Sequence, residues 1–141
     1  MTKLDDMIRR HEGERLKIYS DSKGIPTIGI GRNLRDRGIT PAESQMLYEN
    51  DRFEATAAAK RILGATFDIL NEARQDAMID MAFNMGEPRL RGFKKMIAAL
   101  HAGDFDRAAL EALDSKWARE DVAPERSGEI AAMLRTGRYR K

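Results

Sequence analysis

The chain has 141 residues, the size of a single domain, and its 25 basic and 23 acidic side chains leave a formal net charge of +2. Hydrophobic residues make up 42% of it and charged residues 34%, which is typical of a globular domain and excludes a disordered chain. It has no cysteine and only two histidines, so disulfides, thiolate metal sites and cysteine nucleophiles are excluded, and little material remains for a histidine metal site. No stretch reaches the roughly 20 apolar residues of a transmembrane helix, and no secretory signal is evident at the N-terminus.

The N-terminal part of the chain has the pattern of a short helix followed by two strands. Thr2 and Asp5 form a start that resembles a capping box, and Gly13 is a typical helix stop. Polar and apolar residues then alternate over 15–19, which predicts a half-buried strand, and a turn leads to a second strand over 25–31. The glycines of this second strand indicate that another backbone or a ligand approaches it closely.

From residue 40 onward the pattern is helical. Thr40, Pro41 and Glu43 combine an N-cap, a proline at the first helical position and a capping glutamate, which predicts a helix that ends near Leu63. Four more helices are predicted, over 71–85, 92–100, 104–113 and 127–134. A small strand region followed by a helical body is an α+β layout.

Two carboxylates, Glu12 and Asp21, have the contrasting settings that acid–base chemistry needs. Glu12 ends the first helix at the border of its apolar stripe, where partial shielding and the negative end of the helix dipole both disfavour the anion. A carboxyl that stays protonated can act as a general acid, whereas Asp21 in a polar turn stays ionised. Glycoside hydrolysis uses such a pair. The alternative is that both are ordinary surface acids, since the chain has 23 acidic residues.

Four further side chains can take part in binding or catalysis, and each has a simpler structural interpretation. The hydroxyl of Thr27 can orient a water near Asp21, or Thr27 is only a β-branched strand residue. Phe83 suits the core, while the neighbouring Asn84 can offer its amide to a polar ligand or cap a backbone group. Trp117, the only tryptophan, is either a core anchor or a platform for a sugar.

The order of these segments along the chain is a more specific signal than any single segment. In this order they resemble the segments of the phage lysozyme family, especially its T-even type. The active-site hairpin of that family is similar to Glu12-Gly13-x-Arg15-Leu16-Lys17-Ile18-Tyr19-x-Asp21, Gly24 and Thr27-Ile28-Gly29-Ile30-Gly31. Matching motifs continue along the chain: Phe83-x-Met85-Gly86-Glu87, Gly92-Phe93, Ser115-x-Trp117, Pro124-x-Arg126 and Arg135-Thr136-Gly137. The resemblance therefore covers nearly the whole chain.

The resemblance implies a muramidase, a glycosidase that lyses bacteria by cleaving the β-1,4 bond between N-acetylmuramic acid and N-acetylglucosamine in peptidoglycan. The resemblance implies that Glu12 is the general acid and that Asp21 and Thr27 hold and activate the attacking water. Three residues match substrate-contacting positions of the family's cleft: Asn33, Phe83 and Asn84, the last of which replaces a glutamine. The family is usually described as inverting. Neither a metal nor an organic cofactor is implied.

The same resemblance implies a single lysozyme domain over 1–141, with a small lobe of about 13–40 and a helical lobe of about 41–141 that also includes the N-terminal helix. The glycan is expected in a cleft between these lobes. The expected partner is bacterial peptidoglycan, with no nucleic acid, no stable membrane association and a monomeric state. A chain without a signal peptide is expected to be made in the host cytoplasm and to act on the wall after another protein releases it.

The chain also departs from the family pattern. The stretch between Gly31 and Thr40 is much shorter than in the T-even type, so the small lobe is trimmed. Arg32 replaces a family histidine, and we expect it to pair with Asp51 and to stay charged throughout. Arg126 matches an arginine that lies beside the catalytic glutamate of the family.

Two other classes of function remain open from the sequence. One is a non-catalytic, lysozyme-like module that binds the cell wall as part of a phage particle, although such a module has no need to keep the acid, the base and the threonine together. The other is a small basic helical nucleic-acid binder, which the nearly balanced charge disfavours. Release of reducing ends tests the first alternative, and salt-sensitive DNA binding tests the second.

Overall fold

The computed structural model describes residues 1–141, and the chain divides into two compact units, Met1–Leu47 and Tyr48–Lys141. The first unit holds one helix, a small sheet and the start of a long helix: α1 Lys3–Glu12, β1 Arg15–Ser20, β2 Pro26–Gly29, β3 Arg32–Asn33 and α2 Pro41–Leu63. The second unit holds the rest of α2 and six further α-helices: α3 Ala65–Ile69, α4 Glu72–Met85, α5 Glu87–Arg91, α6 Lys94–His101, α7 Phe105–Leu113 and α8 Pro124–Thr136. The small antiparallel sheet in an otherwise helical chain confirms the predicted α+β class.

Capping residues determine where the predicted helices begin. At α1 the hydroxyl of Thr2 accepts the N–H of Asp5 at 3.1 Å, and the Asp5 carboxylate accepts the N–H of Thr2 at 2.8 Å, which completes a capping box. The same reciprocal pair forms at α2, where Thr40 N–H donates to Oε1 of Glu43 at 2.8 Å and Glu43 N–H donates to the Thr40 hydroxyl at 3.2 Å. Both predicted helix starts are confirmed.

The sheet is a three-stranded meander in the order β1-β2-β3. Thr27 lies in the central strand, paired with Tyr19 of β1 on one side and with Asn33 of β3 on the other. The prediction of one strand over 25–31 is wrong in extent, because β2 ends at Gly29 and turns into β3. Two glycines with positive φ, at 29 and 31, allow this tight reversal.

The second unit is built around a core of alanines, methionines and leucines. Its largest fully buried side chains come from helices along the whole unit: Trp117, Met78, Met81, Leu90, Met96, Leu100 and Leu134. The predicted caps Asn71 and Asp104 begin α4 and α7 as expected. No helix in the structure combines the length and the apolar character that crossing a membrane requires.

Three short elements of the second unit were not predicted from the sequence. They are the five-residue helices α3 and α5 and a five-residue π-helix over Trp117–Asp121. Segments this short carry too few residues for a helical period to be recognised. The last helix begins at Pro124, earlier than the predicted Ser127, because proline fits the first turn of a helix, where its missing N–H is not needed.

Candidate active site

Glu12 is the last residue of α1, and its carboxyl group lies against the loop between β2 and β3. A methyl group built on the Cα of Gly31 would stand 2.5 Å from Oε2 of Glu12 and 2.8 Å from its Cδ. At Gly31 the close approach that we expected from another backbone or a ligand is made by a side chain of the same unit, and Gly29 has no such neighbour. The expected shielding by the apolar stripe is wrong, because α1 buries none of its residues and Glu12 is exposed.

Asp21 follows β1 and closes a tight turn with one of its two carboxylate oxygens. Its Oδ1 accepts the backbone N–H of Lys23 at 2.8 Å and that of Ile25 at 2.9 Å. These bonds orient the carboxylate and leave Oδ2 without a hydrogen bond from the protein, while the Arg35 guanidinium interacts with the carboxylate electrostatically. One oxygen is thus structural, and the other is available to a water or a substrate.

Thr27 is buried at the centre of the sheet, with 4% of its surface exposed. Its hydroxyl donates to the carbonyl oxygen of Ile25 at 2.8 Å. Because the hydroxyl proton is used in that bond, the oxygen can only accept from another donor. Thr27 and Asp21 are therefore both oriented by the backbone of one residue, Ile25.

Asn33, which the resemblance assigns to the substrate, already uses both ends of its amide inside its own turn. Its Oδ1 accepts the N–H of Asp36 at 2.8 Å, and its Nδ2 donates to the Asp36 carboxylate at 3.0 Å. One amide hydrogen remains for a further acceptor. A contact from Asn33 to a sugar would therefore be made by that hydrogen or by the second lone pair of Oδ1.

The ion pair of Arg32 differs from the expected one. Its guanidinium donates to both carboxylate oxygens of Glu43, at 2.8 and 2.7 Å, where we expected Asp51 as the partner. This bidentate contact, with help from the N–H of Thr40, lowers the pKa of Glu43 from 4.5 to about 2. Glu43 was predicted only as a helix cap, and in the structure it also holds the β3 arginine.

In the second unit the predicted sugar-binding residues Phe83 and Asn84 lie at the end of α4. The Phe83 ring is partly exposed and contacts the Tyr48 ring, with 5.9 Å between centroids. Asn84 accepts the indole N–H of Trp117 at 2.9 Å, which fixes its oxygen and leaves its NH₂ group to donate. Trp117 itself is 1% exposed, so it is a core anchor and not a stacking platform for a sugar.

Arg126 at the start of α8 has a partner that the sequence did not indicate. Its guanidinium binds the Asp80 carboxylate through two hydrogen bonds, at 3.1 and 3.0 Å. Both residues line a cavity of about 500 Å³ together with Tyr48 and Phe83. The signal that could have identified Asp80 is its position on α4, one turn before Phe83. No group of three or more His, Asp or Glu side chains converges in a way that could hold a metal ion.

Comparison with known proteins shows which family the chain belongs to. The model of the family described as phage lysozyme matches residues 9–136. The chain belongs to the phage lysozyme family. It is 33% identical to the endolysin of Salmonella phage P22, over 90% of this chain and 92% of that protein. It is 26% identical to the "Probable T4-type lysozyme 2" of Dictyostelium discoideum, over 97% of this chain and 96% of that protein.

A third relative is much longer than this lysozyme. The pre-baseplate central spike protein Gp5 of Enterobacteria phage T4 is 31% identical over 95% of this chain, which corresponds to only 28% of the spike protein. The family and the two full-length matches establish the activity class. This phage lysozyme is a glycosidase that hydrolyses peptidoglycan, as predicted, and the non-catalytic alternative is less well supported.

Proposed function

We propose that Glu12 is the general acid of this lysozyme and that Asp21 and Thr27 together hold and activate the water. The substrate bond is the β-1,4 linkage between N-acetylmuramic acid and N-acetylglucosamine. The observation that supports the proposal is the asymmetry of the Asp21 carboxylate, in which Oδ1 accepts two backbone N–H groups and Oδ2 accepts no hydrogen bond from the protein.

The water is oriented by two acceptors. Thr27 has donated its own proton to Ile25, so its oxygen accepts one hydrogen of the water. The free Oδ2 of Asp21 accepts the other hydrogen. A water with both hydrogens engaged directs an oxygen lone pair at the anomeric carbon, and Asp21 removes a proton as the new C–O bond forms.

Glu12 completes the reaction at the leaving group. Its carboxyl proton moves to the glycosidic oxygen while the bond from that oxygen to the anomeric carbon breaks, so the leaving sugar departs as a neutral alcohol. The water supplies the new hydroxyl, and one glycan chain gains a reducing end. Because no covalent bond forms with Asp21, the anomeric configuration inverts.

Sugar contacts in the second unit are assigned to Phe83 and Asn84. The exposed part of the Phe83 ring offers an apolar face to the sugar ring, and the fixed NH₂ group of Asn84 offers a donor to its oxygens. Asn33 is assigned to the substrate through its remaining amide hydrogen. Residues 1–141 are proposed to be a single lysozyme domain.

The test of this function is the identity of the product. Purified peptidoglycan is digested, the new reducing ends are reduced with borohydride, and the fragments are analysed by mass spectrometry. Muramitol ends support the proposal, whereas glucosaminitol ends or no reduced ends contradict it. The anomer formed first, observed by proton NMR on a soluble glycan, tests inversion.

The working state of the protein is proposed as a monomer that binds no nucleic acid and does not associate stably with membranes. We also propose synthesis in the host cytoplasm, with action on the cell wall after release, as the name endolysin of the P22 relative suggests. A single species of 15.9 kDa in light scattering, together with no retention on DNA or on lipid vesicles at physiological salt, is the expected result. A stable dimer or tight DNA binding contradicts it.

A further inference from the structure

Two glycines lie at the turn from β2 into β3, Gly29 at the end of β2 and Gly31 just before β3, and both have a positive φ but different surroundings. Gly29 has a φ of +68° and Gly31 has a φ of +70°. A Cβ added at Gly29 would meet no atom within 4 Å. A Cβ added at Gly31 would lie 2.5, 2.8 and 3.1 Å from Oε2, Cδ and Cγ of Glu12.

These distances are too short for non-bonded atoms, which reach their best separation at about 3.5–4.0 Å. Something has to move when residue 31 carries a side chain. The atoms in the way are the end of a flexible and exposed glutamate, so the Glu12 side chain moves more easily than the backbone of the hairpin. A side chain at position 31 is therefore expected to displace the carboxyl group of Glu12.

We propose that Gly31 is a positioning residue for Glu12: the missing side chain at 31 creates the space in which the acid's carboxyl group lies. This inference rests on the proposed role of Glu12 as the proton donor. Gly31 serves two purposes, since its positive φ also allows the turn into β3. Gly29 has a similar φ, but a Cβ added there would meet no atom within 4 Å, so it is a matched control at the other end of the same turn.

Placement matters because a general acid works only within hydrogen-bond reach of the atom that it protonates. A displacement of roughly 1 Å in a catalytic group can lower the rate about 100-fold. A side chain at position 31, which fills the space occupied by the Glu12 carboxyl group, is therefore expected to lower kcat strongly. Its effect on stability is expected to be similar to that of the same substitution at Gly29, since both positions have a φ near +70°.

The experiment compares Gly31→Ala with Gly29→Ala. Both place an L-residue at positive φ, so both are expected to lower the melting temperature by a similar amount. Gly31→Ala is expected to lower kcat about 10- to 100-fold relative to Gly29→Ala, with KM changed less than threefold. If either alanine variant fails to fold, Gly31→Asn and Gly29→Asn repeat the comparison, because asparagine tolerates the left-handed region better.

A spectroscopic measurement separates positioning from activity. The carboxyl ¹³C resonance of Glu12, followed across pH, is expected to change in Gly31→Ala and to match the wild type in Gly29→Ala. Equal kcat values for the two variants, or an unchanged Glu12 resonance in Gly31→Ala, overturn the inference. If the wild type releases no reducing ends, the proposed function fails, but the resonance still reports whether Gly31 positions Glu12.

Discussion

Two reciprocal hydrogen bonds join Asp21 and Ile25. The Asp21 N–H donates to the Ile25 carbonyl at 3.0 Å, and the Ile25 N–H donates to Oδ1 of Asp21 at 2.9 Å. The same Ile25 carbonyl accepts the hydroxyl of Thr27. One residue of the turn therefore fixes the orientation of both groups assigned to the nucleophilic water.

Replacing Asp21 with asparagine separates the structural and chemical roles of this carboxylate. Asparagine keeps an oxygen for the N–H groups of Lys23 and Ile25, so the free energy of unfolding is expected to change by less than about 0.5 kcal/mol. Its NH₂ group cannot accept a proton, so the rate of reducing-end release is expected to fall about 10²–10⁴-fold. Denaturant unfolding and a reducing-end assay measure the two effects.

Asp21→Ala is the companion variant for this test. It removes the acceptor of two backbone N–H groups as well as the base, and it is expected to lower stability by about 1 kcal/mol more than Asp21→Asn does. Activity of Asp21→Asn within tenfold of wild type would contradict the assignment of Asp21 as the base.

The bond from Trp117 to Asn84 predicts a measurable coupling between the core and the substrate-binding surface. Trp117→Phe keeps an aromatic ring in the core but removes the N–H that fixes the Asn84 oxygen. In a double-mutant cycle with Asn84→Ala, we expect a coupling of about 0.5–1.5 kcal/mol in the free energy of unfolding.

The same pair affects binding if Asn84 contacts the sugar. An amide that is free to rotate loses its fixed donor direction, so KM for a soluble glycan is expected to rise a few-fold in Trp117→Phe while kcat changes less. Additive unfolding energies in the cycle would show that the hydrogen bond makes no net contribution. An unchanged KM in Asn84→Ala would remove Asn84 from the substrate site.

The Arg32–Glu43 pair predicts a specific dependence of stability on pH. The pKa of Glu43 is lowered from 4.5 to about 2 in the folded protein, chiefly by the Arg32 guanidinium. The folded state therefore binds this proton less readily than the unfolded chain, so the stabilisation is complete above about pH 5 and is lost as the pH falls toward 2.

Glu43→Gln tests this dependence with little change in shape. Glutamine retains an oxygen for the capping bond to the Thr40 N–H but loses the ion pair. The difference in melting temperature between wild type and Glu43→Gln is expected to be largest above pH 5 and to disappear near pH 2. A difference that stays constant from pH 7 to pH 2 would show that ionisation of Glu43 does not contribute.

Local sequence signals predicted most of the elements, because they act over a few residues. The reciprocal caps at Thr2 and Thr40 and the single caps at Asn71 and Asp104 begin the helices they were expected to begin. The strand over 25–31 was too long in the prediction because alternation along a sequence does not distinguish one strand from two joined by a glycine turn. Only the pairing of Ile28 with Arg32 does so.

The sequence proposed candidate site residues but did not predict their contacts. The sequence and the family resemblance both singled out Glu12 and Asp21, and the polar turn at Asp21 was predicted, whereas the shielding expected for Glu12 at the end of α1 is absent. The partners of Arg32 and Arg126 did not follow, since Glu43 meets Arg32 through the loop between β3 and α2, and Asp80 meets Arg126 through the packing of α4 and α8. An arginine can bind any carboxylate within reach, and the sequence does not state which one that is.

The most direct test of the account is the activity of Glu12→Gln on purified peptidoglycan beside Glu14→Gln as a matched control. Glu14 lies two residues away and makes only a surface pair with Arg9, at 3.3 Å. We predict that Glu12→Gln lowers the rate of reducing-end release about 10²–10⁴-fold, while Glu14→Gln stays within twofold of wild type and both keep the wild-type melting temperature within a few degrees. A folded Glu12→Gln variant that hydrolyses peptidoglycan at the wild-type rate would contradict the assignment of Glu12 as the proton donor.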